Sequence, residues 1–397
     1  MIRAVLLDLD DTLIHTETNR FHRHYLTQLG VWMGERIAVE PQPFIARLLA
    51  IYERVLADPI PLRTLYERTM TALDRAGYGD LTPHFQAFYA ERYPALAEAI
   101  TPRLPTPPLL DFLAENDIRM VIATNPGLPI ESIHHRMRAG GIKPGAYPFE
   151  FITSMQNMHF GKPLPAYYAE IALRLRLHPA HLLMVGDDIH NDIHPASLAG
   201  LHTYHVTPQP TDDDPHAGTW AAFVEYICGG GLANYEEPTP STSALSARLR
   251  AFPSVVSGLI RPIAPEFIDI CPAENEWSLR DIVYHLADYE VDQNQPKLRR
   301  IAKQENPFLS GEYDPWDKAV DYGGRPVGPA LVQFAQRRAA TLEWLTQQPD
   351  DVWSRPARSS IFGPTNFHEV VHFITEHDAT HHEQMHECIA CIAQHSS

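Results

Sequence analysis

Short, mostly apolar runs recur through the first half of the chain and alternate with helical patterns, and this alternation constrains the fold more than any other feature. The runs are Ile2 to Leu7, Met120 to Ala123, Phe151 to Ile152, Leu182 to Val185 and Thr203 to Val206, with helical patterns such as Pro107 to Asn116 and Pro165 to Leu175 between them. A strand without polar alternation is buried on both faces, and strands separated by helices are joined by crossovers. The pattern therefore predicts an α/β domain with a parallel, Rossmann-like sheet covered on both sides. Open sheets of this kind bind ligands beyond the C-terminal ends of their strands. From about residue 15 to about residue 101 the alternation breaks, and amphipathic helices around Asn19 to Leu29, Pro43 to Leu56, Leu62 to Ala76 and Pro83 to Tyr93 predict an inserted helical cap without a strand.

After Tyr226 the sequence passes through Gly229-Gly230-Gly231 and Glu236-Glu237-Pro238-Thr239-Pro240-Ser241, which has linker composition. The predicted domains are 1–228, a linker at 229–243, and 244–397. Beyond the linker the strand signal disappears. Four helices, Ala244 to Ile260, Leu279 to Lys303, Gly328 to Gln347 and Asn366 to Ala393, predict an all-α four-helix bundle. Ser278 with Asp281 is a candidate N-cap pair for the second helix, and Thr365 or Asn366 a candidate cap for the last. A length of 397 residues with 44% hydrophobic content is enough for two domains with separate cores. The formal net charge of −17 argues against a nucleic-acid partner. Four scattered cysteines fit a reducing compartment. With no apolar stretch long enough to span a bilayer and no signal-like start, the expected location is the cytoplasm, without a membrane partner.

Leu6-Leu7-Asp8-Leu9-Asp10-Asp11-Thr12 sets two carboxylates two residues apart as a strand leaves the sheet, so that one can act as nucleophile and the other as general acid and base at a single phosphorus. A carboxylate is repelled by a phosphate dianion, and the chain offers groups to offset the charge: Thr124, Lys162, and the acidic run Asp187, Asp188 and Asp192. Acidic oxygens suit magnesium, and a lysine and a hydroxyl can hold phosphoryl oxygens. D-x-D-x-T, a strand-end threonine, lysine before proline and G-D-x-x-x-x-D, in this order, resemble the four motifs of the haloacid dehalogenase (HAD) superfamily over about residues 1 to 210. The resemblance implies Asp8 as the nucleophile that becomes an aspartyl-phosphate and Asp10 as the proton donor that later activates water. It further implies Thr124 and Lys162 as phosphoryl ligands, and Mg2+ held by Asp8, the Asp10 carbonyl and Asp187, with Asp188 or Asp192 farther out. Members that cleave carbon–halogen bonds lack a carboxylate at the Asp10 position, so phosphatase activity is expected. A cap between the first two motifs implies that substrate choice lies there; Asn125 is the preferred substrate contact, with His15, Thr16 and Arg20 as further candidates.

In the last predicted helix His377 and His381 stand one turn apart and project from one face, so they can share a metal ion; His285, on a helix that a bundle packs alongside, is the candidate third ligand. W-S-x-x-D-x-x-x-H-L-A-D from Trp277, followed by H-D-x-x-H-x-x-Q from His377, resembles the DinB-like family of metal-binding bundles over about residues 243 to 393. This implies a three-histidine site for Zn2+, Ni2+ or Fe2+. The segment from His377 to Glu383 also resembles the iron-binding segment of ergothioneine-type sulfoxide synthases, whose second catalytic domain has no counterpart here. His382 and His386 are read as surface residues, and Cys388 and Cys391 as helix packing. The expected function is magnesium-dependent hydrolysis of a small phosphomonoester, a small phosphorylated metabolite being the partner. The alternatives are a metal-dependent thiol transferase in the bundle, or a non-catalytic bundle used for homodimerisation.

Overall fold

Val5, Leu6 and Leu7 have no exposed surface, and the strand they belong to, β1 (Ala4–Leu7), is the centre about which the first half is built. A computed structural model describes residues 1–210, 214–236, 239–274, 276–310, 322–361 and 363–395. The chain divides into two units, Met1–Asp58 with Arg63–Thr239, and Pro59–Leu62 with Pro240–Ser397.

In the first unit, the strands after β1 are β2 (Ile14–His15), β3 (Thr101–Pro102), β4 (Arg119–Ile122), β5 (Phe149–Ile152), β6 (Leu182–Gly186), β7 (His202–Val206) and β8 (Ala217–Gly218). Six of them form a sheet in the order β5-β4-β1-β6-β7-β8, every neighbouring pair parallel. The chain leaves β1 toward β4 on one side and β6 on the other, which opens a crevice at the C-terminal ends of these three strands. The ladder continues past the ends: the Asp8 amide donates to Val185 O at 2.9 Å and the Ala123 amide to Leu7 O at 2.8 Å. The residues that follow, Asp8, Thr124 and Asp187, are therefore fixed by backbone pairing.

The insertion consists of α1 (Thr18–Ile37), α2 (Pro41–Leu56), α3 (Leu65–Leu73), α4 (Thr82–Glu91) and α5 (Tyr93–Ala97). Its two ends are tied by the antiparallel pair β2 and β3, Ile14 opposite Pro102 and His15 opposite Thr101. Its interior is aromatic: Tyr25 and Tyr89 share a 2.7 Å hydroxyl hydrogen bond, and Phe88 packs edge-on against Tyr25, Trp32 and Tyr89. The core helices are α6 (Thr106–Glu115), α7 (Ile130–Ala139), α8 (Pro165–Leu175), α9 (His194–Leu198) and α10 (Trp220–Cys228).

Two boundaries differ from the sequence reading. The segment from Gly229 onward, read as linker, is folded as far as Tyr235, whose ring is buried between His202 and His216 with centroids at 4.9 and 5.3 Å. A single aromatic anchor thus outweighs glycine-rich composition; Glu237 and Pro238 of the linker lie outside the described residues. Pro59–Leu62, between α2 and α3, groups with the second unit: Ile60 belongs to its apolar core, and Ser257 Oγ donates to Leu62 O at 2.8 Å.

The second unit is helical, with α11 (Thr242–Ile260), α12 (Leu279–Tyr289), α13 (Gln295–Lys303), α14 (Val327–Thr346) and α15 (Phe367–His395). Ser278 and Asp281 form a reciprocal capping box. Asn366 Oδ1 accepts from the Glu369 amide at 2.9 Å at the start of α15. The helix expected over Leu279 to Lys303 is divided by a wide turn at Glu290–Asn294. Pro296 has no amide to continue the helical ladder, and the turn carries Glu290 fully into the interior. The absence of strands expected here is also corrected: β9 (Phe308–Leu309), β10 (Pro356–Ser359) and β11 (Gly363–Asn366) form a small sheet in the order β11-β10-β9. Their two to four residues include prolines and lack apolar alternation, so no periodic signal marks them. No helix among the described residues is long and apolar enough to cross a membrane.

Glu290 and Asp378 meet Arg338 in the bundle interior. Arg338 donates from Nε to Glu290 Oε2 at 3.1 Å and grips Asp378 with two bonds of 2.6 and 3.0 Å, while Thr341 Oγ1 donates to Glu290 Oε1 at 2.5 Å. All three charged side chains are at most 4% exposed. Removing the cation strands two carboxylates in an apolar interior. Arg338→Met is expected to lower the unfolding free energy by about 3–5 kcal/mol, read from denaturant unfolding of the full chain; a loss below about 1 kcal/mol would contradict this role.

Candidate functional site

The crevice at the strand ends collects carboxylates around one lysine. Lys162 Nζ lies 2.8 Å from Asp8 Oδ1 and 2.5 Å from Asp192 Oδ1, all three residues being buried. Oxygens of Asp8, Asp187 and Asp192 fall within 4.8 Å of one another. Gly186 makes this approach possible, because a Cβ there would lie 2.2 Å from Asp192 Oδ2. Thr12 Oγ1 donates to Asp187 Oδ1 at 3.1 Å, so the threonine of the first motif orients the acid of the fourth.

Three carboxylates against one ammonium leave an excess of negative charge in a buried place. Burial raises the Asp8 pKa well above the usual carboxylate range; Lys162 opposes the rise, and Asp192, Asp10 and Asp187 reinforce it. Asp187 is pushed up to about 6, first by burial and then by Asp192. Burial would lower the Lys162 pKa, but Asp192 and Asp8 raise it well above its ordinary value, so the ammonium stays charged. A divalent cation fits this donor set, since hard oxygens in excess of the local positive charge are what magnesium requires.

Asp10 faces a different partner. Its carboxylate pairs with the buried guanidinium of Arg136 on α7 and accepts from Thr16 Oγ1 at 2.8 Å. Burial would lower the Arg136 pKa, but Asp10 and then Tyr93 raise it. Arg136 lies in an ordinary-looking helix, and no sequence signal separates it from Arg138. Asp11, quoted with the first motif but given no role, accepts from the amides of Thr16, Glu17 and Thr18 at 2.9, 3.0 and 2.9 Å and so anchors the entry to the cap. Of the other candidates, His15 lies in β2, Thr16 serves Asp10, and Arg20 is an exposed residue paired with Glu17 at 3.2 Å. Asp188 is not among the converging carboxylates. It caps the turn Ile189–Ile193, accepting from the His190 and Asn191 amides at 2.7 and 3.0 Å. Thr124 and Asn125 line a cavity of about 1070 Å³ with Asp8, Asp10, Lys162, Arg136 and residues of α1 to α4. Behind them Tyr167 Oη and Thr153 Oγ1 donate to Thr124 O at 2.9 and 2.7 Å.

A second cluster lies inside the bundle. His377 Nε2 is 3.2 Å from His285 Nε2 and 3.1 Å from His381 Nε2. Nitrogens about 2.0–2.1 Å from one tetrahedral ion stand roughly 3.3 Å apart, so the spacing fits a shared transition metal. His381 Nδ1 lies 2.7 Å from Gln384 Oε1. With Nδ1 donating to this oxygen, which can only accept, Nε2 is the nitrogen left with a lone pair for a metal shared with the other imidazoles. Trp277 stacks on His381 and Tyr289 on His377, at 5.5 and 4.3 Å between centroids. His382, read from the sequence as a surface residue, is instead 3% exposed, packed edge-on to Phe252 and 3.2 Å from His386 Nε2. It lies on the α15 face that meets α11, where position along the helix outweighs polarity. Cys388 is buried, its thiol donating to Trp277 O at 3.3 Å and its pKa pushed up to about 12 by burial, so it is no thiolate at neutral pH.

The family described as haloacid dehalogenase-like hydrolase matches residues 2–200, and the DinB superfamily matches residues 248–385. Similar solved structures include a HAD phosphatase from Thermococcus onnurineus, 17% identical over 58% of this chain and 99% of that one, with a TM-score of 0.37. A 2-haloacid dehalogenase from Pseudomonas syringae is 24% identical over 58% of this chain and 99% of that one, with a TM-score of 0.40. YfiT from Bacillus subtilis, described as a probable metal-dependent hydrolase with an unusual four-helix bundle topology, is 15% identical over 40% of this chain and 94% of its own, with a TM-score of 0.35. No curated protein matches the chain significantly. With its first half matched throughout and its bundle matched separately, the chain belongs to the haloacid dehalogenase-like hydrolases and carries a DinB superfamily domain after the hydrolase unit.

Proposed function

We propose that the first unit is a magnesium-dependent phosphatase that cleaves phosphomonoesters through an aspartyl-phosphate on Asp8. The observation that carries this reading is the pairing of Asp8 with Lys162 at 2.8 Å at the floor of a cavity, with Asp187 and Asp192 within reach of the same ion. An Asp8 oxygen attacks phosphorus and the bond to the ester oxygen breaks; Asp10 gives that oxygen its proton and then takes one from the water that attacks the acyl-phosphate. In this arrangement Arg136 and Thr16 occupy both oxygens of the Asp10 carboxylate, so Asp10 must take up a proton and free one oxygen from these partners before it serves the leaving group. Lys162, Thr124 and the Thr124-Asn125 backbone take the phosphoryl oxygens, where charge develops. Magnesium held by Asp8, the Asp10 carbonyl, Asp187 and Asp192 would supply the positive charge that keeps the acids ionised and offsets that of the phosphoryl group. The carboxylate at position 10 favours phosphate esters over carbon–halogen substrates, since it supplies the proton an alkoxide leaving group needs. With magnesium and a panel of phosphorylated metabolites, Asp8→Asn is expected to reduce phosphate release by at least about a thousandfold. Undiminished release from the variant would overturn the assignment.

A second reading concerns the bundle. The three converging imidazoles support a site for zinc, nickel or iron, made by His285, His377 and His381 and left open on one side for water or substrate. Elemental analysis of the purified chain is expected to find about one such ion per chain and none in His377→Ala. A wild-type protein that stays metal-free after incubation with each ion would remove this site.

A further inference from the structure

The cavity over Asp8 is larger than a phosphate with a short polar tail requires. Its volume of about 1070 Å³ stands at the upper end of pockets that hold drug-sized ligands, for which about 300–1,000 Å³ is usual. The catalytic carboxylates, Lys162 and Arg136 occupy one end. Away from that end the wall comes from the cap: Leu26 of α1, Leu48 and Leu49 of α2, Met70 of α3 and Phe85 of α4 all line it. Leu49 is 42% exposed, an apolar surface left open to the cavity and to water. Among the charged cap residues on the lining, the exposed Glu17 and Arg20 pair with each other at 3.2 Å, and Arg23 adds a positive charge.

The cap lining also carries polar side chains, Asn19, His22, Arg23, Tyr66 and Gln86 among them, and two further hydroxyls in it are buried without a partner among the described residues. Tyr52 Oη and Thr69 Oγ1 are shielded from solvent and have no hydrogen-bond partner among the described residues, and Thr69 is only 3% exposed. Both residues line the cavity. Tyr52 stands where the cap meets the catalytic loops: a Cβ on Gly127 would lie 3.4 Å, and one on Gly161 3.7 Å, from its hydroxyl. These two glycines follow Thr124-Asn125 and precede Lys162, so the hydroxyl marks the passage from the phosphoryl end to the organic end. A buried hydroxyl left without a partner is destabilising, and a ligand with a polar atom at this height would supply one.

On the phosphatase reading given above, we propose that the substrate is a phosphomonoester with a bulky, predominantly apolar organic group that packs on Leu48, Leu49, Met70 and Phe85, and with a hydrogen-bonding function that meets Tyr52 and Thr69. A short polyol or sugar phosphate would leave the cap wall in contact with water and gain nothing from it.

Binding of 1-naphthyl phosphate and of glycerol 3-phosphate to the full-length Asp8→Asn protein with magnesium, measured by titration calorimetry, tests the proposal. The naphthyl ester is expected to bind at least about tenfold more tightly; equal or weaker binding would overturn the assignment. Should the variant fail to fold, the ratio of kcat/KM for the two esters with the wild-type chain reads the same preference. Leu49→Asp, at a partly exposed position, is expected to reduce that ratio at least about threefold, and an unchanged ratio would overturn the role of the wall. Tyr52→Phe is expected to raise KM for a hydroxylated naphthyl phosphate more than for the unsubstituted ester, and an equal change in both would remove the hydroxyl from the proposal. Preferred naphthyl binding without phosphate release from the wild type would support the cavity assignment and overturn the phosphatase reading. Release that favours glycerol 3-phosphate would do the reverse.

Discussion

The ammonium of Lys162 between Asp8 and Asp192 is the interaction on which the first unit's chemistry depends. A buried lysine is costly unless paired, and buried carboxylates in excess are costly even when paired. The sheet solves the first problem by bringing residues 154 and 30 positions from Lys162 to its amine. It leaves the second unsolved, with Asp187 pushed up to about 6 beside them. A place that favours added positive charge and holds a carboxylate against it suits an incoming dianion accompanied by a divalent cation.

The same strand geometry explains why so much of this site was legible before any coordinates. Residues at the ends of β1, β4 and β6 converge in any parallel sheet with that order, so short apolar runs followed by Asp8, Thr124 and Asp187 locate a crevice from sequence alone. Residues whose roles arise from packing were not legible. Arg136 reaches Asp10 from a helix with nothing distinctive in its pattern, and Asp188 is a cap instead of a cluster member, its carboxylate taken up by the amides of His190 and Asn191 that follow it. In the bundle, the helical period placed His377 and His381 on one face, while the burial of His382 depended on which neighbour α11 became. The three short strands of the second unit, β9 to β11, and the wide turn at Glu290 left no periodic trace.

Within the bundle, the buried polar groups divide into two linked roles. Arg338 ties Asp378 to Glu290, while the adjacent His377 faces Tyr289 and the other two imidazoles. Since Asp378 follows His377 and Glu290 follows Tyr289, the ion-paired network fixes the backbone from which the histidine and its stacking partner project. The network ties the turn after α12 to α14 and α15 through buried charge whose partners are all paired.

Crystals grown with magnesium and a phosphate ion test the central claim most directly. The account predicts one cation touching both Asp8 and Asp187, with the phosphate between Lys162 and Thr124. A cation bound away from these carboxylates, or a phosphate seated elsewhere while Asp8 keeps only its lysine, would contradict it.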